Sequence, residues 1–393
     1  MARSLVEAIP SQPRQPVHTV FGGAQLFKAG VVARFQELAL ESLDKFAPDA
    51  DSLAGAMGFA RGARAEAVYA ALRSKLEREP VEDYRIDFED GYGVRPDEEE
   101  DAHAVAAAGE LVAGMKAGSL PWRTGIRVKS LSPIERARSV RTLRLFLSSL
   151  LGGAGAVPPN FIVNLPKVRS VAEVAELAKI LADIEKEFAI DERTLRFEIM
   201  IETPQIVLGT DGRSPLPLLV EAGGTRLVAA IFGGYDFTGA LGITAAHQSL
   251  RHPVCEFARN MMLVALGPTA VQLSDGATAV LPIGDRATVH AAWKVHYDNV
   301  RHAMAGGFYQ GWDLHPAQLV SRYAATFAFF VEGRDAAAAR LKNFLAKAEQ
   351  ATRVGSAFDD AATGHGLVNF FRLAVNCGAM TMDEVAALIG ATA

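Results

Sequence analysis

The chain has 393 residues, 50% hydrophobic and 22% charged, enough to bury a large core. Its 40 basic and 45 acidic residues give a formal charge of −5 and are interspersed, so neither a nucleic-acid face nor an anionic-membrane face is written into it. Two cysteines in unrelated contexts, Cys255 and Cys377, exclude a disulfide framework and fit a reducing compartment.

The first 17 residues are polar and interrupted by proline, without the apolar stretch of a signal peptide. No uninterrupted apolar run is long enough to span a bilayer. The sequence reads as that of a soluble cytoplasmic protein.

Strand-like and helix-like segments alternate along most of the chain. The first strand falls at 17–21, followed by helices at 28–45 and 60–78. The second is 84–88, with an Ala-rich helix to 116. The third is 124–128, and Pro133 opens a helix to 151, in keeping with proline in a first turn. A Gly/Pro-rich loop at 152–159 precedes the fourth strand, 161–165. Ser170 caps an amphipathic helix, 171–188. The fifth and sixth strands are 195–201 and 227–232, and a helix covers 253–266. The seventh is 270–273 or 278–281. A helix at 287–304 leads to the eighth, 311–314. Helices at 322–331, 335–353, 365–377 and 381–389 complete the chain.

Eight such units over roughly 300 residues suit a (β/α)₈ TIM barrel with a C-terminal helical extension. The division expected is a catalytic barrel over 1–320 and a lid or oligomerisation segment over 321–393. A doubly wound open sheet is the alternative, weakened by the absence of G-x-G-x-x-G after the first strand.

Three strands close on acids: Ile86-Asp87-Phe88-Glu89-Asp90-Gly91, Ile199-Met200-Ile201-Glu202-Thr203-Pro204 and Ile231-Phe232-Gly233-Gly234-Tyr235-Asp236-Phe237. In a parallel barrel these ends share one mouth. Converging carboxylates repel unless a cation or proton lies between them, and oxygen ligands favour Mg²⁺ or Mn²⁺.

Glu202 and Asp236 are therefore the candidate metal ligands. The competing readings are a helix N-terminal acid for Glu202 and an Asx turn or N-cap for Asp236. Gly233 and Gly234 allow close backbone approach, which makes them candidate substrate contacts. Glu198, Met200 and Glu202 share a strand face, so Glu198 points inward and needs a partner, Arg127 or Lys167. Glu89 and Asp90 hold metal-bound water, anchor basic groups, or form a solvated loop. Arg127 either grips a substrate carboxylate in a forked pair or pairs internally with Glu89 or Glu198. Lys167 is a second strand-end cation, with Schiff-base chemistry as one option. His315, before Pro316, is an acid–base candidate or a turn histidine. The other histidines show no metal spacing.

Taken in order, these segments resemble the HpcH/HpaI aldolase and citrate lyase β-subunit superfamily. Asp87 to Gly91 is similar to its "DLEDG", Arg127-Val128-Lys129 to "R-V-N" with lysine replacing asparagine, and Pro166-Lys167-Val168 to "P-K-V". Ile201-Glu202-Thr203 resembles "I-E-T", Gly234-Tyr235-Asp236-Phe237 "G-x-x-D-L", and Ser274-Asp275-Gly276 "I-D-G". The last motif, Gly307-Phe308 through His315-Pro316-Ala317-Gln318, resembles "G-F-x-G-K-x-x-I-H-P-x-Q".

The resemblance implies a TIM barrel assembled as a homo-trimer or hexamer, with Mg²⁺ on Glu202 and Asp236. It also implies that Arg127 binds a 2-oxo acid's carboxylate and that the Glu89 and Asp90 acids order water. The reaction class is carbon–carbon bond cleavage or formation on pyruvate, glyoxylate or oxaloacetate, with a CoA thioester as an optional second substrate. Asp360 is the one candidate for an acid brought by a C-terminal lid. Two rivals are a phosphoenolpyruvate- or pyruvate-handling transferase, which demands further cations near Lys129 or Lys167, and a non-catalytic metabolite-binding barrel.

Overall fold

A computed structural model describes residues 13–354 and 361–390, with side chains placed for 13–346 and 364–390. Eight parallel strands pair in sequence order and close on themselves: β1 (His18–Gly23), β2 (Asp83–Asp87), β3 (Arg123–Arg127), β4 (Ile162–Leu165), β5 (Arg196–Ile201), β6 (Leu227–Phe232), β7 (Gln272–Ala277) and β8 (Gln310–Asp313). The β1–β8 pairing, Thr19 opposite Trp312, shuts the barrel and excludes the open sheet.

Between β1 and β2 lie α1 (Val31–Phe46), α2 (Ala50–Met57) and α3 (Ala63–Arg78). Then come α4 (Asp97–Ala117), α5 (Arg136–Ala154) and α6 (Val171–Glu187), one per crossover. Short α7 (Pro204–Val207) and α8 (Leu216–Gly223) follow β5, and α9 (Gly234–Ala240) and α10 (Pro253–Leu266) follow β6. The last crossover is α11 (Arg286–Ala305), and α12 (Gln318–Val354) follows β8. Apolar faces of these helices bury against the strands around one continuous core. Among the described residues no helix is long and apolar enough to cross a membrane.

Three expectations change. The seventh strand, Gln272–Ala277, begins within the first of the two segments expected and runs on to the edge of the second, because Asp275 is neutralised by Arg259 of α10 at 3.0 Å and can therefore be buried. The helices expected at 322–331 and 335–353 are one helix, α12. Gly333 does not break it; a Cβ there would lie 2.9 Å from the Phe370 ring, so the glycine serves close packing. α2 was not anticipated, although Asp49 and Ser52 form a capping box at its start.

Phe370 belongs to α13 (Ala361–Asn376), which is followed by α14 (Met382–Ile389). Asn376 and Cys377 pack beside Gln15, Val17 and Tyr309, which precede β1 and β8. The end of α13 thus underlies the N-terminal mouth of the barrel, opposite the acid-bearing strand ends.

The barrel interior is polar. Cross-strand register lines up Arg85 with Gly125, Asp87 with Arg127, and Asn164 with Glu198. Arg85 crosses to Glu198 in a two-pronged pair, 2.8 Å on each arm, and its other edge meets Asp83. Asn164 adds a 2.9 Å bond to Glu198. The partner of Glu198 is therefore Arg85, not Arg127 or Lys167. Gly125 makes the crossing possible, since a Cβ there would sit 1.9 Å from the Ile162 carbonyl and 3.2 Å from Arg85 Cδ.

Removing one member of such a pair strands a buried charge. Arg85→Met is expected to cost about 3–5 kcal/mol in denaturant unfolding. Adding Glu198→Met should cost less than the sum of the two single changes. Strictly additive losses would show that the two groups are not coupled.

Candidate active site

The acid-bearing strand ends meet at the C-terminal mouth. Asp87 closes β2 and accepts hydrogen bonds from the backbone N–H groups of Glu89 and Gly91, both at 2.8 Å. Its carboxylate also takes the Arg127 guanidinium edge-on, at 2.7 Å from Nε and 2.5 Å from the terminal nitrogen. A bidentate pair of this kind fixes orientation as well as charge. The remaining arm of Arg127 lies 3.3 Å from Glu89. Burial opposes the Arg127 charge, but Asp87 and Glu89 hold its pKa above the ordinary arginine value.

Lys167 follows β4 with a left-handed φ of 51°, a conformation that costs a non-glycine residue about 1–2 kcal/mol. That turn lets one residue serve two sides. Its backbone N–H donates to Glu202 Oε1 at 2.5 Å, while its ammonium bridges Glu89 and Asp90, the latter at 2.9 Å. Burial works against the Lys167 charge, yet the two acids raise its pKa, so Schiff-base formation from a free amine is disfavoured. Burial pushes Glu89 above its usual value despite Arg127. Asp90 stays below its usual value because Lys167 outweighs desolvation.

Glu202 follows β5 and is only 3% exposed. Burial, then the nearby Asp236 charge, pushes its carboxyl up to about 8. Asp236 sits in the first turn of α9, open to solvent on one side, and desolvation in the mouth raises it too. Lys167 and Arg127 pull Asp236 the other way, and Asp90 adds to the rise. Glu89, Asp90, Arg127, Lys167, Glu202 and Asp236 therefore share one field. Gly233 permits it: a Cβ there would lie 2.5 Å from both Cβ and Oε2 of Glu202.

A divalent cation fits this donor set. Glu202 and Asp236 bring two carboxylates to one mouth, where burial first, and neighbouring acid charge second, opposes their ionised forms, a cost that a bound cation would offset. Among the described residues no group of three or more His, Cys, Asp or Glu side chains is arranged to hold a metal. Two carboxylates completed by water and substrate oxygens are what Mg²⁺ accepts.

Of the residues singled out from sequence, Glu89, Asp90, Arg127, Lys167, Glu202, Asp236 and Gly233 come together. Gly234 is turned into the core, against Leu250 and Phe232. His315 lies apart from the acids. Its Nδ1 accepts from the Ala317 N–H at 3.1 Å, and it lines a cleft with Ser42, Phe46 and Ile283. Asp360 falls outside the described residues. Lys129 is committed to Glu100 at 3.0 Å and to the Phe88 carbonyl at 2.6 Å, so it is no free cation for a phosphate. Sequence reading missed Asp87 and Arg85, although period-two alternation along β2 puts both on the inward face.

The model of one family, a domain of unknown function (DUF6986), matches residues 6–393, and the chain belongs to that family. No curated protein matches. Among solved structures, malate synthase from Haloferax volcanii in its lead(II) complex has a TM-score of 0.50 at 17% identity, covering 78% of this chain and 72% of that one. The citrate lyase β subunit from M. tuberculosis, complexed with oxaloacetate and magnesium, has a TM-score of 0.45 at 17% identity, covering 81% and 99%. The first likeness is one of fold.

Gly233→Ala should force Glu202 aside. The expected result is a loss of about 1–3 kcal/mol in denaturant unfolding, the usual cost of overpacking. Unchanged stability would mean that Glu202 moves freely and is not held by this contact.

Proposed function

We propose that this protein is a carbon–carbon lyase or condensing enzyme, assisted by Mg²⁺ or Mn²⁺, acting on a small 2-oxo acid such as pyruvate, glyoxylate or oxaloacetate. The observation that supports this reading is the placement of Glu202 after β5 and Asp236 in the first turn of α9 at one C-terminal mouth, neither of them in an ion pair with a basic side chain among the described residues. They would hold the cation, which when bound polarises a carbonyl and stabilises developing negative charge.

The protein's own groups supply the rest. The Lys167 N–H fixes Glu202 Oε1, leaving Oε2 toward Gly233. Arg127, held by Asp87, would offer the substrate carboxylate the arm that now lies beside Glu89, the carboxylate taking the place of Glu89 there. Glu89, with its pKa raised by burial and its carboxylate between Arg127 and Lys167, is placed to hold or move a proton. In this reading residues 1–320 form the catalytic barrel, 321–393 form a lid or oligomerisation segment, and a CoA thioester is an optional second substrate.

Calorimetric titration of Mg²⁺, alone and with each oxo acid, tests the site. Glu202→Ala and Asp236→Ala should each lose metal-dependent oxo-acid binding while circular dichroism shows a folded barrel. Stoichiometric metal binding retained in both variants would sink the assignment.

A further inference from the structure

The mouth has a second side that the acids do not use. Phe21 of β1 and Trp312 of β8 point into the barrel: Phe21 lies opposite inward-facing Arg85, and Trp312 opposite Thr19, which bonds to Asp83 inside. Their rings pack 4.5 Å apart, tilted by 43°. The Arg127 guanidinium lies over both, 4.7 Å from the Phe21 ring and 5.3 Å from Trp312. The same guanidinium touches Glu89, so the aromatic pair stands one side chain from the acid cluster.

Both rings are only half-buried although they face inward. Their contact with Arg127 sets them at the C-terminal mouth, so the solvent they meet is in that mouth. The apolar character continues onto the rim. Leu26 after β1, Val280 and Leu281 after β7, and Leu314 after β8 are exposed by 72%, 51%, 38% and 38%. The β2–β4 side, by contrast, carries Glu89, Asp90, Arg127 and Lys167. A mouth charged on one side and apolar on the other is shaped for a ligand with the same division.

The indole gives a second sign. Trp312 Nε1 is shielded from solvent and has no hydrogen-bond partner among the described residues. An unsatisfied buried donor is a cost that phenylalanine at this position would not carry. The broad indole face beside Arg127 is the feature that phenylalanine would not supply.

We propose that Phe21 and Trp312 form a specificity subsite, and that it favours a 2-oxo acid carrying a bulky apolar substituent, aryl or branched, over the smaller oxo acids that the same cation site would also take. This rests on the reading of Glu202 and Asp236 as the cation and oxo-acid site. The carboxylate and carbonyl would engage the charged side, and the apolar group would lie against the two rings.

The full-length protein with Mg²⁺ is titrated with pyruvate and with phenylpyruvate, by calorimetry and by intrinsic fluorescence. Of the three tryptophans, Trp293 is buried against the Ala317 carbonyl and Trp122 packs under Arg14 and Arg123, so Trp312 is the reporter in the mouth. Phenylpyruvate should bind at least about tenfold tighter, the effect of burying one ring. It should also change a fluorescence signal that Trp312→Phe removes. Phe21→Ala and Trp312→Ala should each shrink the ratio of the two affinities. Equal affinities in the wild type, or a ratio that neither variant changes, would overturn the subsite while leaving the oxo-acid site standing. Failure of both acids to bind would remove both proposals.

Discussion

The buried pair between Arg85 and Glu198 is the constraint on which the rest of this barrel depends. A closed sheet leaves no exit for inward side chains except along its axis. A strand that turns a charge inward must therefore meet its partner inside, and the guanidinium of β2 does so by reaching the carboxylate of β5. The crossing needs a strand without a side chain in its path, and Gly125 of β3 supplies one. Asp83 and Asn164 occupy the remaining donor and acceptor positions. Once those groups are committed to one another, the next charged layer must satisfy itself separately.

That layer is Asp87 with Arg127, and it explains the asymmetry of the mouth. Arg127 is spent mostly on its neighbouring strand, while Lys167 is spent on Glu89 and Asp90. No basic side chain makes an ion pair with Glu202 or Asp236 among the described residues. The compensation Glu202 receives is a backbone N–H, directed by the left-handed turn at Lys167. Backbone strain at such a position persists only where the surroundings over-determine it, and here both ends of the lysine are held.

Much of this is legible in sequence because strand ends and period-two alternation are local properties. Ile199 to Glu202 shows its inward face directly, and the acids after β2, β5 and β6 can be placed at one mouth before any pairing is known. Pairing is what remains hidden. Arg85 and Asp87 alternate correctly with each other, but which carboxylate each meets depends on register between strands far apart in the chain. β7 was misplaced because Ser274, Asp275 and Gly276 carry little intrinsic strand preference; Arg259 of α10 makes Asp275 tolerable there. The continuity of α12 through Gly333 is hidden for the same reason: the use of that glycine, packing against Phe370, comes from an element some forty residues on.

The two halves of the mouth also differ in how they are held. The charged half is a web of ion pairs in which each group's protonation depends on its neighbours, so a substrate carboxylate entering it must exchange partners. The aromatic half needs no exchange of ion-pair partners: Phe21 and Trp312 are held by each other and by Arg127. Arg127 belongs to both halves. Its charge is pinned by Asp87 and one side of its guanidinium lies against the two rings, so the arm toward Glu89 is the part left to answer to a ligand. One inward arginine thereby sets the boundary between polar chemistry on the β2–β6 side and shape selection on the β7–β1 side.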